Sequence, residues 1–176
     1  LHLSSAASDV YKRQLLTSHG LRQDVEVILH LQGGPGPHRR LKFMGSELRG
    51  FHAEERSVSG LIAKAIREPS PPIGQWIERT PGVYDGGGTL SDTILEWKDS
   101  VLVRLDADAE RLWSDGATFP NQGTPADKNL AFLLSDDQPL KSDEGIARSL
   151  GSTWLQGHHA IAICHFLLDE GIQLNL

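Results

Sequence analysis

Residues 25–31 run Val-Glu-Val-Ile-Leu-His-Leu, an alternating, β-branched pattern that predicts a strand. Gly33-Gly34-Pro35-Gly36-Pro37 breaks it, and Arg40-Leu41-Lys42-Phe43-Met44 alternates again, predicting a second strand. From Arg56 the apolar positions change period: Val58, Leu61, Ile62, Ala65 and Ile66 fall on one face of a helix. Glu54 and Glu55 suit the positive end of that helix, and Pro69 stops it. Residues 69–72 then read as a stiff linker and Gly86-Gly87-Gly88 as a flexible one, without the G-x-x-x-x-G-K spacing of a phosphate loop. Residues 89–99 predict a short helix presenting Leu90, Ile94 and Trp97, and residues 101–105 a strand. Leu130-Ala131-Phe132-Leu133-Leu134 is an unbroken apolar run, expected of a strand buried on both faces of a parallel sheet. A closing helix is expected over residues 159–169.

Strands alternating with helices favour an α/β domain with a mainly parallel sheet. Ligands of such sheets sit beyond the carboxyl ends of the strands. Leu105, Ser135 with Asp136, and the loop of residues 150–155 are therefore grouped on one edge as one candidate site. The loop runs Leu150-Gly151-Ser152-Thr153-Trp154-Leu155 into an apolar helix. It reads either as a cradle for a flat polar ligand or as an ordinary strand–helix connection, with Gly151 supplying a positive φ.

With 176 residues the chain is long enough for one domain with a real core and too short for two comfortable ones. Its 39% hydrophobic and 23% charged residues contain no apolar run near the ~20 needed to cross a bilayer, so no membrane association is expected. One cysteine, Cys164, excludes an internal disulfide framework and fits a cytoplasmic protein. The net charge of −6 argues against wholesale coating of nucleic acid, yet leaves room for a local basic patch. Arg22, Arg39, Arg40, Arg49 and Arg56 collect in the N-terminal half and are the candidates for phosphate contacts, although such charges commonly just solvate a surface. Residues 1–14 lack an initiator methionine and any periodicity, and resemble translated sequencing-adapter sequence. We expect them to be non-native, leaving an N-terminally truncated single domain over residues 15–176.

Other constellations yield less. His158 and His165 share a helix face, but with His159, Cys164 and no second cysteine they lack the paired ligands of a structural zinc site, so no metal is expected. Ser46 in Gly45-Ser46-Glu47 lacks the second glycine of a nucleophile elbow. Asp136 and Asp137 follow the apolar run, where a carboxylate can act as a base or simply face water.

Three separated segments together resemble the archaeal tRNA pseudouridine-54 N1-methyltransferases of the knotted SPOUT class. They are Leu16-Thr17-Ser18-His19-Gly20-Leu21-Arg22 with Asp24-Val25; Phe43-Met44-Gly45-Ser46-Glu47-Leu48-Arg49 with Glu54-Glu55-Arg56-Ser57 and Thr80-Pro81-Gly82-Val83-Tyr84; and Ala131-Phe132-Leu133-Leu134-Ser135-Asp136 followed by residues 149–169. The resemblance implies a SPOUT-type α/β knot with a C-terminal trefoil knot, a homodimer, and S-adenosylmethionine held by Leu105, Ser135, Leu150, Gly151, Ser152, Thr153, Trp154, Leu155 and Ala160. The substrate it implies is pseudouridine in the T-loop of tRNA, with residues 80–84 and the five arginines on the RNA side. No catalytic residue is singled out: Asp106 and Asp136 are candidates to take the N1 proton, directly or through water, the alternative being that positioning beside the methyl donor suffices. A related enzyme acting on ribosomal RNA and a non-catalytic RNA-binding protein that kept the fold are the alternatives. The chain departs from the family where Ser135-Asp136-Asp137-Gln138-Pro139 replaces Gly-Asp-His-x-Gly, and residues 141–149 form a shorter segment, which bears on whether the knot is complete.

Overall fold

The computed structural model describes residues 14–17, 20–31, 36–49, 55–114, 129–135, 140 and 142–176, with the side chains of 55–57 left aside. Chain contacts divide the protein into two compact units, Leu1–Trp97 and Lys98–Leu176.

The first unit opens with two short antiparallel strands, β1 (Leu16–Thr17) and β2 (Gly20–Leu21). Its main sheet holds β3 (Glu26–Leu31), β4 (Arg39–Met44), β5 (Trp76–Thr80) and β6 (Val83–Gly87), in the order β3-β4-β6-β5 and antiparallel throughout. The alternation read from the sequence is physical. Val27, Leu41, Phe43 and Val83 are buried on one face, in one core with Val58, Ile62 and Ala65 of helix α1 (Glu55–Ala65). The hairpin β5–β6 replaces the expected flexible linker, because its glycines are close-approach positions. A Cβ on Gly86 would lie 2.7 Å from the Trp76 ring, and one on Gly87 would lie 2.3 Å from the Pro71 carbonyl oxygen. Helix α2 (Leu90–Glu96) is shorter than expected and buries Thr93 instead of an apolar stripe. Its first turn is closed by the Asp92 carboxylate, which accepts from the Thr89 amide (2.7 Å) and hydroxyl (2.9 Å). The Thr89 amide's hydrogen bond is the chief reason the Asp92 carboxyl sits below its ordinary pKa.

In the second unit β7 (Val101–Leu105), β8 (Leu130–Leu133) and β9 (Ile146–Arg148) form a parallel sheet in the order β8-β7-β9. Helix α3 (Gly157–Asp169) contributes Leu167 to a core with Val103, Leu112, Ile172 and Leu174. The expectation of a mainly parallel sheet thus holds for this unit alone. The apolar run at β8 also lies differently from expectation. Among the described residues β8 pairs only with β7, three of its four residues are half-buried, and the central strand is β7, with Val103 fully buried. Strand β9 had no pattern to reveal it, since Ile146-Ala147-Arg148 is too short to show a period. The C-terminus is tied down by a Trp113–Leu174 bridge and by the Asn175 amide donating to the Leu112 carbonyl at 2.8 Å.

Candidate functional site

Because the three strands of the second unit are parallel, their carboxyl ends share one edge. Leu105 is level with Arg148, and Arg104 with Leu133. Ser135 and Leu150 each follow two residues beyond the ends of their strands. The strands that lead into Leu105, Ser135 and the 150–155 loop therefore end on one edge of one sheet. Leu105 and Leu150 pack against the core, whereas Ser152, Thr153, Trp154 and Leu155 are exposed, Trp154 at 74%. Ala160 is buried in the first turns of α3.

Gly151 has φ +137°, a conformation open to glycine, with nothing within 4 Å of where a Cβ would stand. Ser149, at the end of β9 and 4% exposed, fixes the loop. Its hydroxyl accepts from the Gly151 amide at 2.9 Å and donates to the Gly151 carbonyl at 2.8 Å. Its own amide donates to the Glu110 carbonyl at 2.7 Å and its carbonyl accepts from the Leu112 amide at 2.8 Å. Sequence reasoning passed over Ser149 as a separate site residue. A serine two positions before a glycine at a strand end is the turn signal that marks it.

Asp106, a candidate base, already carries two hydrogen bonds. Its Oδ2 accepts from Arg104 Nη1 at 2.8 Å and its Oδ1 from the Asp108 amide at 3.1 Å. The other candidate, Asp136, lies outside the described residues, as does Asp137. Among the described residues no group of three or more His, Cys, Asp and Glu side chains is placed to hold a metal ion. Cys164 is buried, and burial pushes its thiol pKa up to about 12, away from nucleophilic use.

The five arginines separate into distinct environments. Arg40 is fully buried: it donates to the Gly87 carbonyl (3.1 and 2.9 Å), Thr93 Oγ1 (2.9 Å) and Glu96 (2.9 Å), and lies 4.6 Å from the Trp76 ring centroid. Arg39 is bound to Asp85 at 2.7 Å and donates to the Ala65, Ile66 and Glu68 carbonyls at the end of α1. These two guanidiniums are spent inside the first unit, which corrects their reading as phosphate contacts. Arg49 is exposed, with Nη1 on the Ser46 and Leu48 carbonyls, and Arg22 is half-buried. Arg56 belongs to α1, but its side chain lies outside the described residues.

Arg49 stands where three stretches of the first unit meet. The Gly45 amide donates to the Val25 carbonyl (2.9 Å), and a Cβ on Gly45 would stand 1.9 Å from the Arg22 carbonyl oxygen. The Met44 amide donates to the Gly82 carbonyl at 2.9 Å. The Tyr84 phenol donates to the Glu47 carboxylate, and that bond pushes the Tyr84 pKa up to about 12. Residues 22–25, 44–49 and 80–84 thus form one corner.

The second unit is thus of the α/β class, with a glycine-bearing loop at the carboxyl edge where the ligands of such sheets sit. Within that class, residues 7–171 match the family described as "Putative SAM-dependent RNA methyltransferase", and the chain belongs to this family. Its relatives include the tRNA (pseudouridine(54)-N(1))-methyltransferase of Methanocella arvoryzae, 34% identical over 164 residues, covering 89% of this chain and 79% of the relative. Proteins of the same name from Methanococcus aeolicus and Thermococcus gammatolerans are each 32% identical, covering 87% and 88% of this chain and 78% of each relative. Among the described residues no helix is long and apolar enough to cross a membrane.

Proposed function

We propose that this protein is an S-adenosylmethionine-dependent methyltransferase that methylates N1 of pseudouridine at position 54 in the T-loop of tRNA. The observation that supports the reading is the shared carboxyl edge of the parallel strands that lead into Leu105, Ser135 and residues 150–155, in a chain whose relatives bear that name. The site suits the cofactor because the φ +137° turn at Gly151 leaves its Cβ position open, so a ligand can approach the backbone there. Leu105, Leu150 and Ala160 would give apolar contact, while Ser135 and residues 152–155 would offer polar backbone and hydroxyl groups. When bound, S-adenosylmethionine supplies an electrophilic methyl group.

The protein's task is then to hold N1 in line and to receive its proton. Each oxygen of Asp106 accepts one hydrogen bond and keeps a further lone pair, so Asp106 and Asp136 both stay as candidates for the proton. The RNA side falls to the corner of Arg22, Arg49 and residues 80–84, with Arg56 retained from the sequence reading and Arg39 and Arg40 removed from it. We further read the chain as a single SPOUT domain with a C-terminal trefoil knot, working as a cytoplasmic homodimer.

The test uses the purified chain, labelled S-adenosylmethionine and two tRNA transcripts, one with pseudouridine and one with uridine at position 54. Label is expected in the pseudouridine transcript alone. Normal cofactor binding with no transfer to either RNA overturns the substrate assignment.

A further inference from the structure

The 149–151 turn has a consequence for how the loop meets its ligand. A serine hydroxyl carries one proton and two acceptor lone pairs. That of Ser149 spends its proton on the Gly151 carbonyl, at 2.8 Å, and takes the Gly151 amide proton, at 2.9 Å. The Ala107 carbonyl also stands within reach among the described residues, but farther away, at 3.3 Å. The one donor of Gly151 is therefore satisfied from within, while its carbonyl keeps a second lone pair, so the glycine offers a ligand space but no hydrogen-bond donor. The exposed residues 152–155 follow directly and carry the next donors of the loop.

Ser149 is itself held from several sides. Its backbone is pinned on both sides to the segment that follows β7, through Glu110 and Leu112, and its side chain is buried. Loss of the hydroxyl would leave these backbone pins intact and release only the turn.

We infer that Ser149 is a positioning residue for the cofactor loop: its hydroxyl locks Gly151 so that residues 152–155, and not Gly151, present the hydrogen-bond donors to S-adenosylmethionine. This rests on the cofactor reading proposed above. It separates two roles that the sequence motif merges, the glycine giving room and the serine giving shape.

Two measurements on the full chain test it. The first is amide hydrogen exchange with and without S-adenosylhomocysteine. The Gly151 amide is expected to be protected before ligand is added and unchanged after, while amides within 152–155 slow on binding. A Gly151 amide that exchanges freely and becomes protected only by ligand overturns the inference. The second compares the wild type with Ser149→Ala and Ser149→Thr. Ser149→Ala is expected to weaken S-adenosylhomocysteine about tenfold and to raise the cofactor KM with little change in the KM for tRNA, and Ser149→Thr to recover most of the loss. Wild-type affinity in Ser149→Ala overturns the role of Ser149. No binding by the wild type instead removes the cofactor reading, and the exchange behaviour of Gly151 in the free protein still decides whether the lock exists.

Discussion

Asp85 is a fully buried carboxylate on the core face of the main sheet, held by Arg39 at 2.7 Å and Arg79 at 2.8 Å. Removing one partner of a buried pair leaves charge without compensation, and here it would strand two guanidiniums. Asp85→Ala is expected to cost about 3 kcal/mol in urea unfolding, with Asp85→Asn recovering part of it through remaining hydrogen bonds. No local pattern announces this arrangement. Arg39 and Asp85 are 46 residues apart, so two adjacent arginines in a sequence look like surface charge until the sheet register brings β4 beside β6. His30 makes a similar point through protons. Burial, with the Arg40 charge adding to it, lowers its pKa from 6.5 to about 4, and its Nδ1 finds no partner among the described residues. The unfolded chain binds this proton below pH 6.5 whereas the folded chain waits until about pH 4, so the stability His30 contributes is full above 6.5 and declines across that window. Glu26 works in the opposite sense: burial raises its pKa, so the folded state takes up that proton first and gains as pH falls through the raised value. Thermal melts across pH 6.5 to 4 should therefore fall less steeply for His30→Gln than for the wild type. Equal slopes would remove His30 from the account.

At the scale of elements, glycine explains most of what the sequence concealed. The β5–β6 hairpin reads as a linker because Gly86 and Gly87 contribute no side chain to a period, yet each sits where a Cβ would collide with a neighbour. Elements with periodic apolar faces, β3, β4 and α1, were legible at nearly their observed bounds. The turn between β5 and β6 allows backbone conformation and packing to be told apart. Gly82 has φ +75°, and a Cβ there would stand 2.4 Å from the Leu48 amide nitrogen. Gly74 has φ +81°, and a Cβ there would meet nothing within 4 Å. Gly74→Ala should cost only the conformational penalty, about 1 kcal/mol, while Gly82→Ala should cost roughly twice that or more, because the Gly45–Arg49 stretch must also move. Equal losses in denaturant melts would show that the corner yields freely and is not the rigid support assigned to it. The site's edge was legible for a different reason. Once residues 101–105 and 130–134 are taken as neighbouring parallel strands, their carboxyl ends coincide whatever their exact lengths, so the half-burial of β8, where burial on both faces was expected, does no harm to the grouping of Leu105 and Ser135.

For the molecule as a whole, the question is what covers the apolar groups that the second unit leaves outside. Phe166 is 53% exposed on α3, a helix that buries Ile161, Cys164 and Leu167 on its other side, and Trp154 is 74% exposed in the preceding loop. Aromatic side chains in water commonly mark an interface, and the homodimer proposed above provides one. Phe166→Glu should then shift the protein from dimer to monomer in analytical ultracentrifugation while leaving its circular dichroism unchanged, since the residue adds little to the core of its own unit. If α3 indeed mediates assembly, cofactor affinity and methyl transfer in the same variant report whether the loop that carries Trp154 depends on the second copy for its shape. A wild-type chain that sediments as a monomer at micromolar concentration would instead leave Phe166 as ordinary surface and remove the homodimer from the proposal, without touching the assignment of the sheet-edge residues.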